Sequence, residues 1–288
     1  MNATAQPHDI VADLGRRIAA GQLVPFLGPD VLTLTAEPWP VPTGARELSQ
    51  RLSKRVAVPG RIRNNMWHTA QYIETFRHRM TLDKLMLEIF KPVPEPSLLH
   101  RWLAGRTQLP LIIDTWYDGT MAQALGDIRS DWALMQGTSK ARRTGDAPWY
   151  RAYAPDGTEL AYDDAAKAST ILYKPHGAAQ PAGDVLASDA DYVEVLTDID
   201  IQTPIPDTVK LRRADMGFVF IGCRFYDQIL RTFARCLTKH SKGPRYAIVP
   251  MDELSPNEKK FMENENITPI SMPLAQAAEV LAATAPVL

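Results

Sequence analysis

The chain has 288 residues, of which 45% are hydrophobic and 23% are charged, and its 32 basic and 33 acidic side chains leave a formal charge of −1. This composition is typical of a globular protein and excludes an intrinsically disordered or collagen-like chain. The sequence has no apolar run of the roughly 20 residues that a membrane helix needs. Its near-zero net charge creates no overall field that attracts nucleic acid, and its N-terminal segment lacks the apolar core of a secretory signal. We therefore expect a cytoplasmic protein that binds neither a membrane nor nucleic acid directly.

The cysteine and histidine content argues against a metal site. The two cysteines, Cys223 and Cys236, are too few for a disulfide framework or a four-cysteine zinc site. The six histidines show none of the i, i+3 or i, i+4 spacings that place two ligands on one helix face. We therefore expect no bound metal ion.

The order of the predicted elements indicates the fold class. Apolar periodicity predicts a helix over residues 9–20, a strand over 23–27 and a helical block over 43–105. Strands are then predicted over residues 109–113, 132–136, 170–174, 217–221, 245–249 and 267–270, with helices over 225–239, from 255 and over 274–283. Alternating buried strands and amphipathic helices are typical of an α/β fold with a doubly wound, Rossmann-like parallel sheet. We expect residues 1–288 to form one domain, with residues 43–105 as a helical insertion.

The helical insertion carries several large apolar side chains. These are Met66, Trp67, Met80, Met86 and Trp102. We interpret them as core residues, although an assembly interface with a partner protein or a second copy would use the same residue types.

Four predicted strands end in turns that are rich in glycine or polar residues. In doubly wound sheets, ligands bind outside the carboxyl ends of the strands. The four turns read FLGPD (26–30), DTWYDG (114–119), KPHG (174–177) and IGCRFYD (221–227). Taken singly, each turn is more typical of an ordinary turn or helix cap than of a ligand site.

Together, in this order and with SDADY at residues 188–192, these segments resemble the sirtuin-like (silent information regulator-like) family of NAD-binding domains. They are most similar to the bacterial branch that lacks the zinc module. Residues 40–52 and 245–270 also resemble that family, so that the resemblance extends over about residues 10–285. It implies NAD as the cofactor, and an NAD glycohydrolase of bacterial antiviral defence that cleaves the nicotinamide–ribose bond. The deacetylase form of the family is disfavoured because it needs the four-cysteine zinc module.

The resemblance also implies roles for individual residues. His176 would be the catalytic base, since an imidazole titrates near neutral pH, and Asp118 would fix the loop or hydrogen-bond the ligand. Residues implied to contact the cofactor are Gly28, Asp30, Thr115, Trp116, Gly177, Gly222 and Asp227.

Three of the turns depart from the family pattern; in KPHG, Pro175 stands in place of the usual leucine. Gly28-Pro29-Asp30 stands where the family has G-A-G, so that an N–H donor is lost and a negative charge is added. Trp116 stands where the family has an asparagine, and its ring would either stack on a ligand or plug the pocket.

These departures leave three interpretations open. The chain is an active NAD glycohydrolase, or a degenerate, non-catalytic domain that acts as a nucleotide sensor or interaction subunit, or an unrelated doubly wound nucleotide-binding protein. The expected ligand is NAD or an ADP-ribose-like molecule.

Overall fold

A computed structural model describes residues 6–139, 148–198 and 204–284, and within them the chain builds one nine-stranded sheet. The strands are β1 (Leu23–Leu27), β2 (Leu111–Asp114), β3 (Trp132–Gly137), β4 (Tyr150–Tyr153), β5 (Glu159–Leu160), β6 (Thr170–Lys174), β7 (Gly217–Ile221), β8 (Arg245–Ile248) and β9 (Ile267–Ile270). Their order is β5-β4-β3-β6-β2-β1-β7-β8-β9. All neighbours from β3 to β9 are parallel, and β4 and β5 add an antiparallel hairpin at one edge.

Helices cover both faces of this sheet. In the described part of the chain they are α1 (Pro7–Ala19), α2 (Ala45–Arg55), α3 (Met66–Arg77), α4 (Arg79–Ile89), α5 (Leu98–Ala104), α6 (Thr120–Ile128), α7 (Tyr162–Ala165), α8 (Asp189–Asp198), α9 (Asp207–Arg213), α10 (Gln228–Thr238), α11 (Pro256–Asn264) and α12 (Leu274–Ala282). None of these helices combines the length and the apolar character that crossing a membrane requires. The predicted doubly wound α/β fold is confirmed.

The two faces of the sheet carry separate apolar cores. Side chains alternate between the faces along each strand, so Val24 and Phe26 lie in one core and Leu23 and Leu27 in the other. The first core contains side chains of α2, α3, α4, α8, α9, α10 and α11. The second contains side chains of α1, α5, α6 and α12.

Residues 43–105 are therefore divided between the two faces. Helices α2, α3 and α4 pack on the first core, whereas α5 packs on the second, next to α6 and α12. Met66, Trp67, Met86 and Trp102 are buried, as we expected. The core interpretation is wrong for Met80, which is 83% exposed at the start of α4.

The strand order creates a topological switch point between β1 and β7. From β1 the chain proceeds to β2 on one side, and β7 later pairs with β1 on the other side. A crevice opens at the carboxyl ends of two such strands. The backbones approach closely here, because a Cβ atom on Gly28 would lie only 2.1 Å from the carbonyl oxygen of Gly222.

Candidate functional site

The crevice at the switch point contains a small inner cavity and an open outer cleft. The inner cavity has a volume of about 60 Å³, and the outer cleft has a volume of about 700 Å³. Four of the strand-end turns contribute to the inner cavity, through Gly28 and Asp30 after β1, Thr115 and Trp116 after β2, His176 after β6, and Cys223 after β7. Residues that line both spaces are Asp30, Gly44, Ala45, Met66, Trp67, Arg224 and Tyr226. The two spaces therefore lie side by side and share one wall.

His176 presents an unused hydrogen-bond acceptor in the inner cavity. Its Nδ1 lies 3.0 Å from the carbonyl oxygen of Thr115, and because a carbonyl only accepts, Nδ1 carries the hydrogen. The other ring nitrogen, Nε2, is buried and has no partner among the described residues. The rings of Tyr192 and Phe233 hold the imidazole edge-on, with centroids 5.2 and 4.5 Å away. Burial lowers the pKa of His176 to about 4, so the ring is neutral at physiological pH.

Trp116 closes the inner cavity and is firmly held. Its backbone N–H donates to Oδ1 of Asp114 at 3.0 Å, and its indole Nε1 donates to the carbonyl oxygen of Pro42 at 2.8 Å. The indole also packs edge-on against Phe90, with centroids 5.7 Å apart. The Trp116 ring therefore joins the loop after β2 to the segment before α2, and its polar atom is unavailable to a ligand.

The turn after β1 offers no backbone N–H to an anion. The N–H of Gly28 donates to Ile221 at 2.9 Å, that of Asp30 to Gly222 at 3.2 Å, and that of Val31 to Gly28 at 3.3 Å, while Pro29 has none. The carboxyl group of Asp30 lies at the junction of the two spaces. Burial raises its pKa to about 6 although Arg224 opposes this, and Glu253 and Glu258 raise it further.

An ion pair beneath the site fixes the loop after β2. Lys174 Nζ donates to Oδ2 of Asp114 at 2.5 Å, and both side chains are buried. Burial raises the pKa of Asp114, and Lys174 opposes this. Lys174 thus positions Trp116 through Asp114.

Three predicted site residues line neither the inner cavity nor the outer cleft. Asp118 accepts the backbone N–H of Thr120 at 2.9 Å, so its carboxylate fixes the loop before α6. Gly177 has a φ of +77°, and Gly222 has a φ of +65°. Both residues allow close backbone approaches, since a Cβ atom on Gly177 would lie 2.1 Å from a carbonyl oxygen. The structure gives these three residues positions that support the loops.

Asp227 lies in the outer cleft rather than in the inner cavity. Its Oδ1 accepts the N–H of Ile229 at 2.8 Å and caps α10.

Several lining residues were not predicted from the sequence. Arg224 lies in the predicted turn after β7, where Nε donates to the Glu258 carboxylate at 3.0 Å. Although burial raises the pKa of Glu258, Arg224 and the Ser255 and Phe225 N–H groups hold it at about 2. Tyr192 ends the SDADY segment, which was noticed only as part of the resemblance. Trp67 carried no signal beyond its place among the apolar residues of the insertion.

Comparison with known proteins decides the family. The SIR2-like domain family matches residues 110–270, which is more than half of the chain. The chain belongs to the SIR2-like domain family. Comparison with curated proteins gives no match. The predicted resemblance is therefore confirmed, and with it membership in an NAD-binding family.

Only part of the lining of the inner cavity belongs to the residues that match the SIR2-like domain family. It contains Thr115, Trp116 and His176, whereas Gly28, Asp30 and Trp67 precede it. The departures at Pro29 and Asp30 thus lie outside the matched range, and that at Trp116 lies inside it.

The volumes of the two spaces limit the size of the ligand that each can hold. Pockets that enclose small molecules measure roughly 300–1,000 Å³, so a cavity of about 60 Å³ does not admit a nicotinamide ring beside Trp116. The outer cleft of about 700 Å³ is large enough for a nucleotide. Among the described residues, no three His, Cys, Asp or Glu side chains are grouped to hold a metal ion.

Proposed function

We propose that this SIR2-like domain binds ADP-ribose-type nucleotides in the outer cleft, with a ribose at the mouth of the inner cavity, and that it hydrolyses NAD slowly. The unpartnered Nε2 of His176 carries this proposal, because a buried acceptor without a partner is costly unless a ligand completes its hydrogen bond. The neutral state of the ring makes Nε2 ready to accept a proton.

The proposed reaction is hydrolysis of the bond between nicotinamide and ribose. Water adds to the ribose carbon, nicotinamide leaves, and the products are ADP-ribose, nicotinamide and one proton. His176 would accept that proton from the water or from a ribose hydroxyl. Its low pKa makes it a weak base, and Trp116 fills the space where the leaving group would lie, so slow turnover is expected.

A second function is favoured by the turn after β1. The N–H groups of Gly28, Asp30 and Val31 are all used within the protein, and Asp30 places a carboxyl group at the junction. A domain with these features would act as a nucleotide sensor or interaction subunit without hydrolysis. Measured nicotinamide release distinguishes the two functions.

The test uses the full chain and a conservative variant. In His176→Asn, the side-chain amide can still donate to Thr115, but the acceptor at Nε2 is lost. We expect the wild type to bind ADP-ribose at least as tightly as NAD and to release nicotinamide slowly, and we expect the variant to release none. Binding of neither nucleotide in a calorimetric titration would contradict the proposal. Binding without any nicotinamide release would favour the sensor.

We also propose a role in bacterial antiviral defence within the cytoplasm. In this role the domain would act with a second copy or a partner protein. Expression in bacteria should then lower the number of phage plaques, and His176→Asn should restore it. Equal plaque numbers for wild type, variant and empty vector would contradict the role.

A further inference from the structure

The segment that precedes α2, residues 39–43, lies against Trp116 and belongs to neither a helix nor a strand. Within the described part of the chain, residues 39–43 make no hydrogen bond from backbone to backbone. Two of them, Pro40 and Pro42, have no N–H group to donate. Since backbone pairing does not hold this segment, its polar groups depend on side chains for their hydrogen bonds.

Two side chains of α2, Glu47 and Arg51, bond the backbone of the 39–43 segment. Arg51 donates from Nη1 to the carbonyl oxygen of Pro40 at 2.7 Å and from Nη2 to that of Trp39 at 3.2 Å. The Glu47 carboxylate accepts the N–H of Thr43 at 2.9 Å. Nε and Nη2 of Arg51 also donate to Oε1 of Glu47, at 3.0 and 2.7 Å. The two side chains therefore act as one unit, which we call the Glu47–Arg51 clamp.

The carbonyl oxygen of Pro42 anchors the Trp116 ring, because it accepts the indole Nε1–H at 2.8 Å. The clamp bonds the backbone on both sides of this carbonyl, at Pro40 and at Thr43. A shift of the 39–43 segment would therefore move the acceptor that holds the ring. The position of Trp116 in the inner cavity thus depends on the clamp.

We propose that the Glu47–Arg51 clamp positions Trp116 and thereby limits the rate at which nicotinamide is released. The inference rests on the proposed function, in which the Trp116 ring fills the leaving-group space. Hydrolysis then requires the ring to move, and its bond to the Pro42 carbonyl opposes that movement. Arg51 lines neither the inner cavity nor the outer cleft, so it is a positioning residue that acts on the reaction through Trp116.

Arg51→Ala tests the inference, and Arg16→Ala is its matched control. Arg16 forms an exposed ion pair with Asp13 on α1, whose apolar side chains pack on the opposite face of the sheet. We expect Arg51→Ala to raise kcat for nicotinamide release about 3- to 10-fold, the size of one ordinary hydrogen bond. The Kd for ADP-ribose, which carries no nicotinamide, should not change, whereas a general loosening of the site would raise it. Arg16→Ala should match the wild type in both measurements.

A double-mutant cycle with Trp116→Phe determines whether Arg51 acts through the indole. Phenylalanine has no N–H group to donate to Pro42, so the clamp no longer holds the ring through that carbonyl. We expect Arg51→Ala to raise kcat in the wild-type background but not in the Trp116→Phe background. Arg51→Lys keeps the charge but loses the planar set of donors, so it should resemble Arg51→Ala.

Acrylamide quenching of tryptophan fluorescence measures the freedom of the ring without any turnover. The contribution of Trp116 is the difference between a protein and the same protein with Trp116→Phe. We expect Arg51→Ala and Arg51→Lys to raise the quenching of this contribution, and we expect Arg16→Ala to leave it unchanged.

The outcomes separate this inference from the proposed function. Unchanged quenching of Trp116 in the Arg51 variants, equal changes of kcat in both backgrounds, or weaker ADP-ribose binding would each overturn the inference while the proposed function stands. Failure of the wild type to bind ADP-ribose and NAD would overturn the proposed function. The quenching measurement would still decide whether the clamp positions the ring.

Discussion

Asp30 places an ionisable group where the nucleotide is expected to pass from the outer cleft into the inner cavity. Arg224 faces it, but the carboxylate of Glu258 already binds that guanidinium, and Glu253 lies close to both. Burial and the two glutamates therefore oppose ionisation of Asp30, whose pKa rises to about 6. A diphosphate would meet a neutral carboxyl group below that pH and a negative charge above it.

We therefore expect ADP-ribose to bind the wild type more tightly as the pH falls through about 6, because Asp30 becomes neutral there. Asp30→Asn should bind several-fold more tightly than the wild type at pH 7.5, with a flatter pH dependence. Calorimetric titrations at pH 5.5 and 7.5 measure both effects. Asp215→Asn, at an exposed site, is the control and should behave as the wild type. An equal pH dependence in Asp30→Asn would show that another group is responsible.

The same residue should make stability depend on pH. Folding raises the pKa of the Asp30 carboxyl group from 3.8 to about 6. Its protonated form therefore stabilises the folded state at pH values below 3.8, and this stabilisation is lost as the pH rises through about 6. We expect Asp30→Asn to be more stable than the wild type at pH 8, by roughly 1–3 kcal/mol, because one pKa unit corresponds to about 1.4 kcal/mol. Chemical denaturation at pH 4 and pH 8 checks this. A variant less stable than the wild type at pH 8 would contradict it.

Trp116 determines how much space the inner cavity has. Trp116→Asn should enlarge it and raise the rate of nicotinamide release, since the smaller side chain provides a polar group and frees the leaving-group space. The lost contact with Phe90 and bond to Pro42 should lower stability by about 3–5 kcal/mol, as for other buried tryptophans. Slower release in a folded variant would show instead that the ring stacks on the substrate.

At the scale of the elements, the local sequence predicted most of the strands and helices. The bounds of β1, β6, β7 and β9 agree with the predicted ranges. In β1, β6 and β7 every residue is buried, as in parallel strands that are covered on both faces, whereas β9 is an edge strand in which only Ile267 and Ile270 are buried. The Ser255 capping box also forms as the residues predict, since its contacts span three residues. The position of α5 on the face opposite α2 was not predictable, because proline breaks at residues 91–96 show that a helix ends but not where the next one packs.

For the site, the sequence identified the turns but not the connections between distant segments. The link from Trp116 to Pro42 spans 74 positions, and the ring contacts of Trp67 and Tyr192 depend on how the insertion packs. The pairing of Arg79 with Asp191 was not predictable for the same reason. The guanidinium and the carboxylate lie 2.7 Å apart, although 112 positions separate the two residues in the sequence. That Asp191 carboxylate also accepts the N–H groups of Ala187 and Ser188.

The Arg79–Asp191 pair joins α4 of the insertion to the first turn of α8. Both side chains are largely buried, so removal of the carboxylate leaves a buried cation without its main partner. We expect Asp191→Ala to lower the free energy of unfolding by about 3–5 kcal/mol. Asp215→Ala, which removes an exposed pair with Lys242, should change it by less than about 1 kcal/mol. Equal melting temperatures of the two variants would contradict this role.

At the scale of the whole molecule, the cavity joins two parts of the chain. His176 and Trp116 lie in the range that matches the SIR2-like family, whereas Asp30 and Trp67 come from residues before it. The insertion contacts both faces of the sheet, through α2, α3 and α4 on one side and α5 on the other. Neither core is therefore complete without residues 43–105.

We accordingly expect the chain to unfold in one cooperative thermal transition, as a single domain with an integrated insertion. Loss of α2–α4 would expose the apolar face of the sheet that carries Val24 and Phe26, and loss of α5 would expose the face that carries Leu23 and Leu27. The calorimetric and van't Hoff enthalpies should agree within error, and ADP-ribose should raise the single melting temperature. An insertion that folds as a separate unit would instead give two transitions, of which Asp191→Ala would lower only one. In a single domain, Asp191→Ala must shift the whole transition, so calorimetry of the wild type and this variant decides between the two arrangements.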